Sequence, residues 1–245
     1  MTQGLVIVTG GSRGIGAAIC RRLAQNGYAV AVNYASRPDA ADSVVQEITA
    51  AGGQAAAFRG DVSREADVDA LFAAAQDRFG RPVGLVNNAG IVGGTSRVDE
   101  LTLEALNRTL AVNVVGTILA ARAAVRAMST RHGGAGGAIV NLSSVAARLG
   151  GAGEFVHYAA SKGAIDSFTL GLGREVAGEG IRVNAVAPGL IDTEMNSEER
   201  QARFVSSIPI KRVGVASEIA DAVAWLLSPG ASYVTGTTLT VSGGR

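Results

Sequence analysis

Short, continuous apolar runs alternate with helix-length stretches from one end of this chain to the other. Runs rich in valine, isoleucine, leucine and alanine fall at Leu5–Thr9, Ala29–Asn33, Ala55–Arg59, Gly84–Asn87, Ala138–Leu142, Arg182–Ala187 and Thr238–Val241. Most are apolar at successive positions rather than at every second one, the pattern of a strand covered on both faces. Between them lie helix candidates at Gly14–Asn26, Pro38–Ala51, Arg64–Phe79, Thr102–Ser129, Tyr158–Glu179 and Ser217–Leu227. Parallel strands need long crossovers, and helices supply them. The alternation therefore predicts an α/β fold: a doubly wound parallel sheet in three layers (α/β/α). No repeat, low-complexity tract or proline-rich linker breaks the pattern, so a single domain over residues 1–245 is expected.

Composition narrows the function classes. An apolar fraction of 47% against 18% charged residues suits a large core and excludes a disordered chain. A net charge of +1 with no basic run gives no electrostatic footprint for nucleic acid or a membrane surface. No stretch approaches ~18 uninterrupted apolar residues, the span of a membrane helix. The single Cys20 has no internal disulfide partner, which suits a reducing compartment. The first strand follows Met1-Thr2-Gln3-Gly4 directly, which leaves no room for a signal peptide, and a cytoplasmic protein is expected.

Behind the first strand comes Thr9-Gly10-Gly11-Ser12-Arg13-Gly14-Ile15-Gly16, opening a helix. Glycines at 10, 14 and 16 permit a tight turn, close backbone approach to a pyrophosphate and helix–sheet packing. The helix N-terminus then faces the phosphates with its dipole. The spacing G-x-x-x-G-x-G departs from the G-x-G-x-x-G fingerprint, and a glycine turn alone also serves purely structural ends. Its place between strand and helix favours dinucleotide binding in a Rossmann-type fold, with Ser12, Arg13 and Ile15 in the same loop. The second strand ends Asn33-Tyr34-Ala35-Ser36-Arg37. It lacks the acid that holds a ribose 2′-hydroxyl in NAD-specific sheets. Arg13 and Arg37 offer a cationic clamp for a 2′-phosphate, so NADP(H) is preferred, with NAD(H) as the alternative.

Tyr158 and Lys162 stand four residues apart, on one helical face. A phenol of ordinary acidity is a poor base near neutrality, and lowering its pKa by ~3 units takes about 4 kcal/mol of preferential phenolate stabilisation. A neighbouring ammonium and a nicotinamide cation in a poorly hydrated cleft would supply it.

Gly10–Gly16, Asn87-Asn88-Ala89-Gly90, Asn113, Ser143-Ser144, Tyr158/Lys162 and Pro188-Gly189 occur in that order. Together they resemble the short-chain dehydrogenase/reductase family over essentially the whole chain. The resemblance implies Tyr158 as the acid/base toward a substrate oxygen and Lys162 as the group that lowers its pKa and binds the nicotinamide ribose. Ser144, chosen over Ser143 because Val145 follows it, would donate to the substrate oxygen, and Asn113 would hold a water that relays protons to Lys162. Asp61 and Val62 would meet the adenine. Asn87, Ala89 and Gly90 would line the crevice, while Pro188, Gly189, Ile191 and Thr193 would touch the nicotinamide. Residues 192–212, polar and proline-broken, are expected to form a substrate lid.

Several residues are set aside. His157 abuts Tyr158 but should point elsewhere from its helix; His132 and Cys20 have no partner for metal chemistry. Trp225 is expected in the core, and Arg122 and Arg126 on a solvated face. The helix from Tyr158 is small-sided at Ala160, Gly163, Ala164, Ser167, Gly171 and Gly173, which suits helix-against-helix contact between copies; the resemblance implies a homotetramer. The expected partner is a small-molecule substrate, either a sugar or polyol or a 3-oxoacyl thioester. Arg131 would favour docking of an acidic carrier and Glu179 would oppose it. The rival readings are a catalytically silent dinucleotide sensor, which would lack one of Ser144, Tyr158, Lys162 or Asn113, and a sugar-nucleotide epimerase or dehydratase, which would carry an added C-terminal domain.

Overall fold

The computed structural model describes residues 3–194 and 196–245; Met1, Thr2 and, within the expected lid, Met195 lie outside the described residues. Its elements in order are β1 (Leu5–Thr9), α1 (Gly14–Gln25), β2 (Ala29–Tyr34), α2 (Pro38–Ala50), β3 (Gln54–Arg59), α3 (Glu65–Phe79), β4 (Pro82–Asn87), α4 (Leu103–Leu110), α5 (Thr117–Met128), β5 (Gly137–Leu142), α6 (Ala146–Leu149), α7 (Val156–Val176), β6 (Ile181–Pro188), β7 (Ile191–Asp192), α8 (Glu198–Phe204), β8 (Gly214–Val215), α9 (Ala216–Leu227) and β9 (Thr238–Val241).

Seven strands form one sheet in the order β3-β2-β1-β4-β5-β6-β9, and every pairing is parallel. The chain winds outward from β1 to β3, returns to the other side of β1 at β4, and winds outward again. That reversal leaves a crevice at the carboxyl ends of β1 and β4, where the glycine turn lies. One face of the sheet is packed by α1, α2 and α9 through residues such as Ile19, Leu23, Val44 and Val223. The other is packed by α3 and α5, through Leu71, Phe72, Ala120 and Ala124. Strands buried from both sides explain why the apolar runs do not alternate.

Three departures from the sequence expectations have local causes. The helix expected over 102–129 is broken by a π-helical turn, Ala111–Gly116, which carries Asn113. The run Leu103–Met128 is long and apolar enough by composition to cross a membrane; here its inner residues pack on the sheet, while Val115 and Ile118 stay exposed. Trp225, expected in the core, is 44% exposed. The buried face of α9 runs through Ile219, Val223 and Leu226, and position 225 is turned about 200° from 223.

Between β7 and β8, which pair in parallel at Ile191↔Gly214 and Asp192↔Val215, the chain makes an excursion from the body of the fold. It carries α8, which buries no residue of its own.

Candidate active site

The turn from β1 to α1 is built for close backbone approach. Gly10 has φ +62°, and a Cβ there would lie 3.0 Å from Ala89 Cα. On Gly16 a Cβ would lie 2.2 Å from the Gly10 carbonyl oxygen, a distance no side chain tolerates. The first turn of α1 has no side-chain cap and no acidic residue, so its orphan N–H groups face the crevice with the positive end of the dipole. This cradle fits a pyrophosphate.

Tertiary bonds hold the cradle, and two of their residues were not singled out from sequence. Thr9 Oγ1 accepts from Asn88 N and Ala89 N, both at 3.1 Å. Asn88 Nδ2 donates to Thr9 O at 3.0 Å and to Gly10 O at 2.8 Å. The last residue of the first strand and the second asparagine of the Asn-Asn motif are the signals that would have found them. Cys20, buried beneath, donates its thiol to Gly11 O at 3.6 Å, and burial pushes that thiol far above its ordinary range; it is an inert packing residue.

At the adenosine end, Asn33 is buried and Gly10 N donates to its Oδ1 at 3.2 Å, while its Nδ2 donates to Gly60 O at 3.0 Å. Its side chain therefore shapes the groove through the turn it holds. Tyr34, half-buried, closes β2. A hollow of about 580 Å³ opens beside Ala35, Ser36, Arg59, Asp61, Arg64 and Arg108. Asp61 accepts from Arg108 Nη2 at 2.9 Å and from Ser63 Oγ at 2.7 Å. Burial works against its charge, but these bonds outweigh it and hold the carboxyl below its ordinary range. Val62 is buried against Gly116, where a Cβ would come within 2.7 Å of it.

Arg37 is exposed, with no carboxylate within 4.0 Å among the described residues. Arg13 instead pairs with Glu194 at 3.3 Å across the groove. On the nicotinamide side, Gly189 N donates to Val241 O at 2.9 Å and seats the Pro188-Gly189 turn, with Ile191 buried behind it. The chain then returns toward the glycine turn, where a Cβ on Gly14 would stand 3.5 Å from Thr193 Cγ2.

The candidate catalytic groups converge where β4, β5 and α7 meet. Tyr158 lies in the first turns of α7 and Lys162 one turn on, its Nζ 5.6 Å from the phenol ring centroid and donating to Leu142 O at 2.6 Å. Ser143 is buried and donates to Lys162 O at 3.3 Å. Ser144 is the less buried serine, and its hydroxyl is the one close enough to Tyr158 to favour the phenolate. Both Nδ2 hydrogens of Asn113 are occupied, by Ile91 O at 2.9 Å and Ser161 Oγ at 3.0 Å, while its Oδ1 accepts from Ile91 N at 2.8 Å. Gly90 keeps the space between Asn113 and Lys162 open: a Cβ there would stand 3.4 Å from the former's Oδ1 and 3.5 Å from the latter's Nζ. Asn87 donates to Asn141 Oδ1 at 3.0 Å beneath them. His157 turns away and donates to Val92 O at 2.9 Å.

A family model described as enoyl-(acyl carrier protein) reductase matches residues 10–245. Uncharacterized oxidoreductase YgfF of Escherichia coli is 51% identical over 245 residues, covering 98% of this chain and 99% of that protein. Glucose 1-dehydrogenase 2 of Bacillus subtilis is 42% identical over 248 residues, covering 100% of this chain and 95% of its own. A short-chain dehydrogenase of Burkholderia cenocepacia, solved in complex with NADP, superposes with a TM-score of 0.92 at 38% identity, covering 99% of this chain and 98% of that one. The chain belongs to the short-chain dehydrogenase/reductase family. It is an NAD(P)-dependent oxidoreductase.

In this dehydrogenase/reductase the electrostatics differ in one respect from the sequence reading. Burial raises the Tyr158 pKa, and the Ser144 hydroxyl only partly opposes it. Lys162 is itself pulled down to about 8, by burial first and against the pull of Asp166. The residues around it thus leave the phenol above its ordinary range.

Proposed function

We propose that the protein interconverts a carbonyl and a secondary alcohol using NADP(H), with Tyr158 as acid/base. The observation that carries the reading is the Tyr158 phenol set over a buried Lys162, whose Nζ lies 5.6 Å from the ring centroid, with the Ser144 hydroxyl near enough to influence it. Two donors side by side suit one carbonyl oxygen, whose developing charge both would stabilise. Bound in the cradle of Gly10–Gly16, a nicotinamide dinucleotide supplies or takes the hydride and, oxidised, adds the positive charge the phenol lacks. Tyr158 gives its proton to the oxygen or takes it back. Lys162 keeps an ammonium beneath the ring and holds the ribose, and Asn113 acts by fixing Ile91 and Ser161 around it.

The cofactor preference rests on charge. β2 ends without an acid, Arg37 has no counter-ion among the described residues, and Arg59 and Arg64 line the same hollow as Ser36. Each would favour a 2′-phosphate. For substrate, Arg131 lies 3.9 Å from Glu179, which weakens it as a dock for an acidic carrier. A sugar, polyol or other small carbonyl compound is therefore placed ahead of a carrier-bound 3-oxoacyl thioester. The small outer face of α7 and the exposed Val115 and Ile118 support self-association as a homotetramer, and the lone buried Cys20 is in keeping with a cytoplasmic setting.

The test is a panel of sugars, 3-oxoacyl thioesters and small ketones or alcohols with each cofactor, repeated with Tyr158→Phe. Turnover is expected to fall by at least ~100-fold, the low end for acid/base catalysis, while dinucleotide affinity is kept. Near-normal turnover of the variant would refute the mechanism. Tighter fluorescence-titrated binding of NADH than of NADPH would reverse the cofactor preference.

A further inference from the structure

The loop between Ser144 and Tyr158 and the excursion between β7 and β8 meet at one side chain. The Glu154 carboxylate accepts from Arg200 Nη1 at 2.6 Å and from Arg203 Nη1 at 3.1 Å, both on α8. Only 16% of its side chain is exposed. Its backbone is tied as well: Ser96 N donates to Glu154 O at 2.8 Å. Next to it, the Phe155 ring lies 4.8 Å from the Arg200 guanidinium and meets Tyr158 edge-on, centroids 5.8 Å apart. Gly151, at φ +61°, lets that ring fold back, since a Cβ there would stand 2.6 Å from it. One residue thus joins the loop at Ser96 through its backbone and the lid helix through its carboxylate, one aromatic ring away from the phenol.

We propose that Glu154 is a positioning residue whose carboxylate latches α8 over the mouth of the site, so that the strength of this latch governs substrate capture. Apolar burial does not hold the helix down, since α8 buries none of its residues. The excursion's other ionic ties are more open: Arg13 and Glu194 are exposed by 58% and 65%, Arg212 and Glu218 by 52% and 37%, where solvent screens them. At Glu154 the pair with Arg200 is sheltered, 27% and 16% exposed, and charge-assisted, the stronger kind of bond, while Arg203 joins it from the solvent side at 69%. A helix held chiefly by charge opens at little cost in apolar surface, here mainly the Phe155 and Phe204 rings that Arg200 covers.

The latch is tested by hydrogen exchange of the α8 amides, read by mass spectrometry in wild type, Glu154→Gln and Glu154→Asp at low and high potassium chloride. Losing the carboxylate is expected to speed α8 exchange by ~10-fold at low salt. High salt should loosen wild type toward the Gln variant and leave that variant unmoved. Asp should restore part of the protection, and exchange in the centre of α7 should not change. The kinetic arm rests on the oxidoreductase reading and uses ethyl acetoacetate as probe: KM should rise ~10-fold in Glu154→Gln with kcat within about twofold and NADPH affinity unchanged. Equal α8 exchange in wild type and Glu154→Gln, or loosening shared by α7, would overturn the latch, as would an unchanged KM. Wild type that turns over no carbonyl compound would sink the oxidoreductase reading instead, leaving exchange to decide the latch.

Discussion

Lys162 shows how one residue binds stability to chemistry. Its folded-state pKa of about 8 lies below the ordinary 10.5. Below about pH 8 folded and unfolded chains both carry the ammonium, and the folded one bears the full cost of desolvating it. Between about 8 and 10.5 only the unfolded chain is still protonated, so stability climbs with pH, and above that the slope vanishes. The pKa difference sets a ceiling of about 3 kcal/mol on the penalty, and the bond to Leu142 offsets about 1 kcal/mol of it. Lys162→Met is therefore expected to melt a few degrees above wild type at pH 7, with the gain shrinking as pH rises toward 10. Thermal melts across that range check it, and a variant that melts well below wild type at pH 7 would contradict the sign. The protein carries this penalty where the proposed chemistry needs an ammonium.

At the level of elements, the β1–α1 turn is the most demanding piece of backbone. Gly16→Ala would drive a methyl to 2.2 Å from Gly10 O and 2.5 Å from Asn88 Nδ2, so the loop or β4 has to move. Overpacking of this kind costs about 1–3 kcal/mol, and dinucleotide affinity is expected to fall by at least ~10-fold, since the amides are displaced from their target. Urea unfolding and a fluorescence titration measure the two effects; wild-type values in both would show that the cradle is not built as described. The turn was legible in sequence because glycine spacing encodes local backbone freedom. The π-turn at Asn113 was not, because Ala111–Gly116 follows the same apolar pattern as its neighbours. What distinguishes it is the bonding of Asn113 to Ile91 and Ser161, residues remote in the chain.

For the whole molecule, the outer face of α7 presents Ala160, Ala164, Ser167 and Gly171 to solvent in the single chain, beside Leu170, Val115 and Ile118, each at least 40% exposed. A face without large side chains admits a second backbone closely, and its apolar border gains from being covered. Light scattering is expected to report four copies of the 24.7 kDa chain, and Ala164→Arg, which sets a charge in the middle of that face, to shift the population to smaller species. A wild-type monomer at micromolar concentration would contradict the assembly.

The sequence by itself determined the layered parallel sheet, the glycine cradle, the order of the motifs and the spacing that sets Tyr158 and Lys162 on one helical face. These depend on periodicity, on backbone freedom and on side chains one helical turn apart, all written within short windows. Tertiary structure alone decided that Asn33 holds the turn, that Trp225 faces outward, and that Glu154 gathers two arginines from α8. Those outcomes depend on where segments remote in sequence come to rest against one another, and packing fixes that only once the sheet has closed.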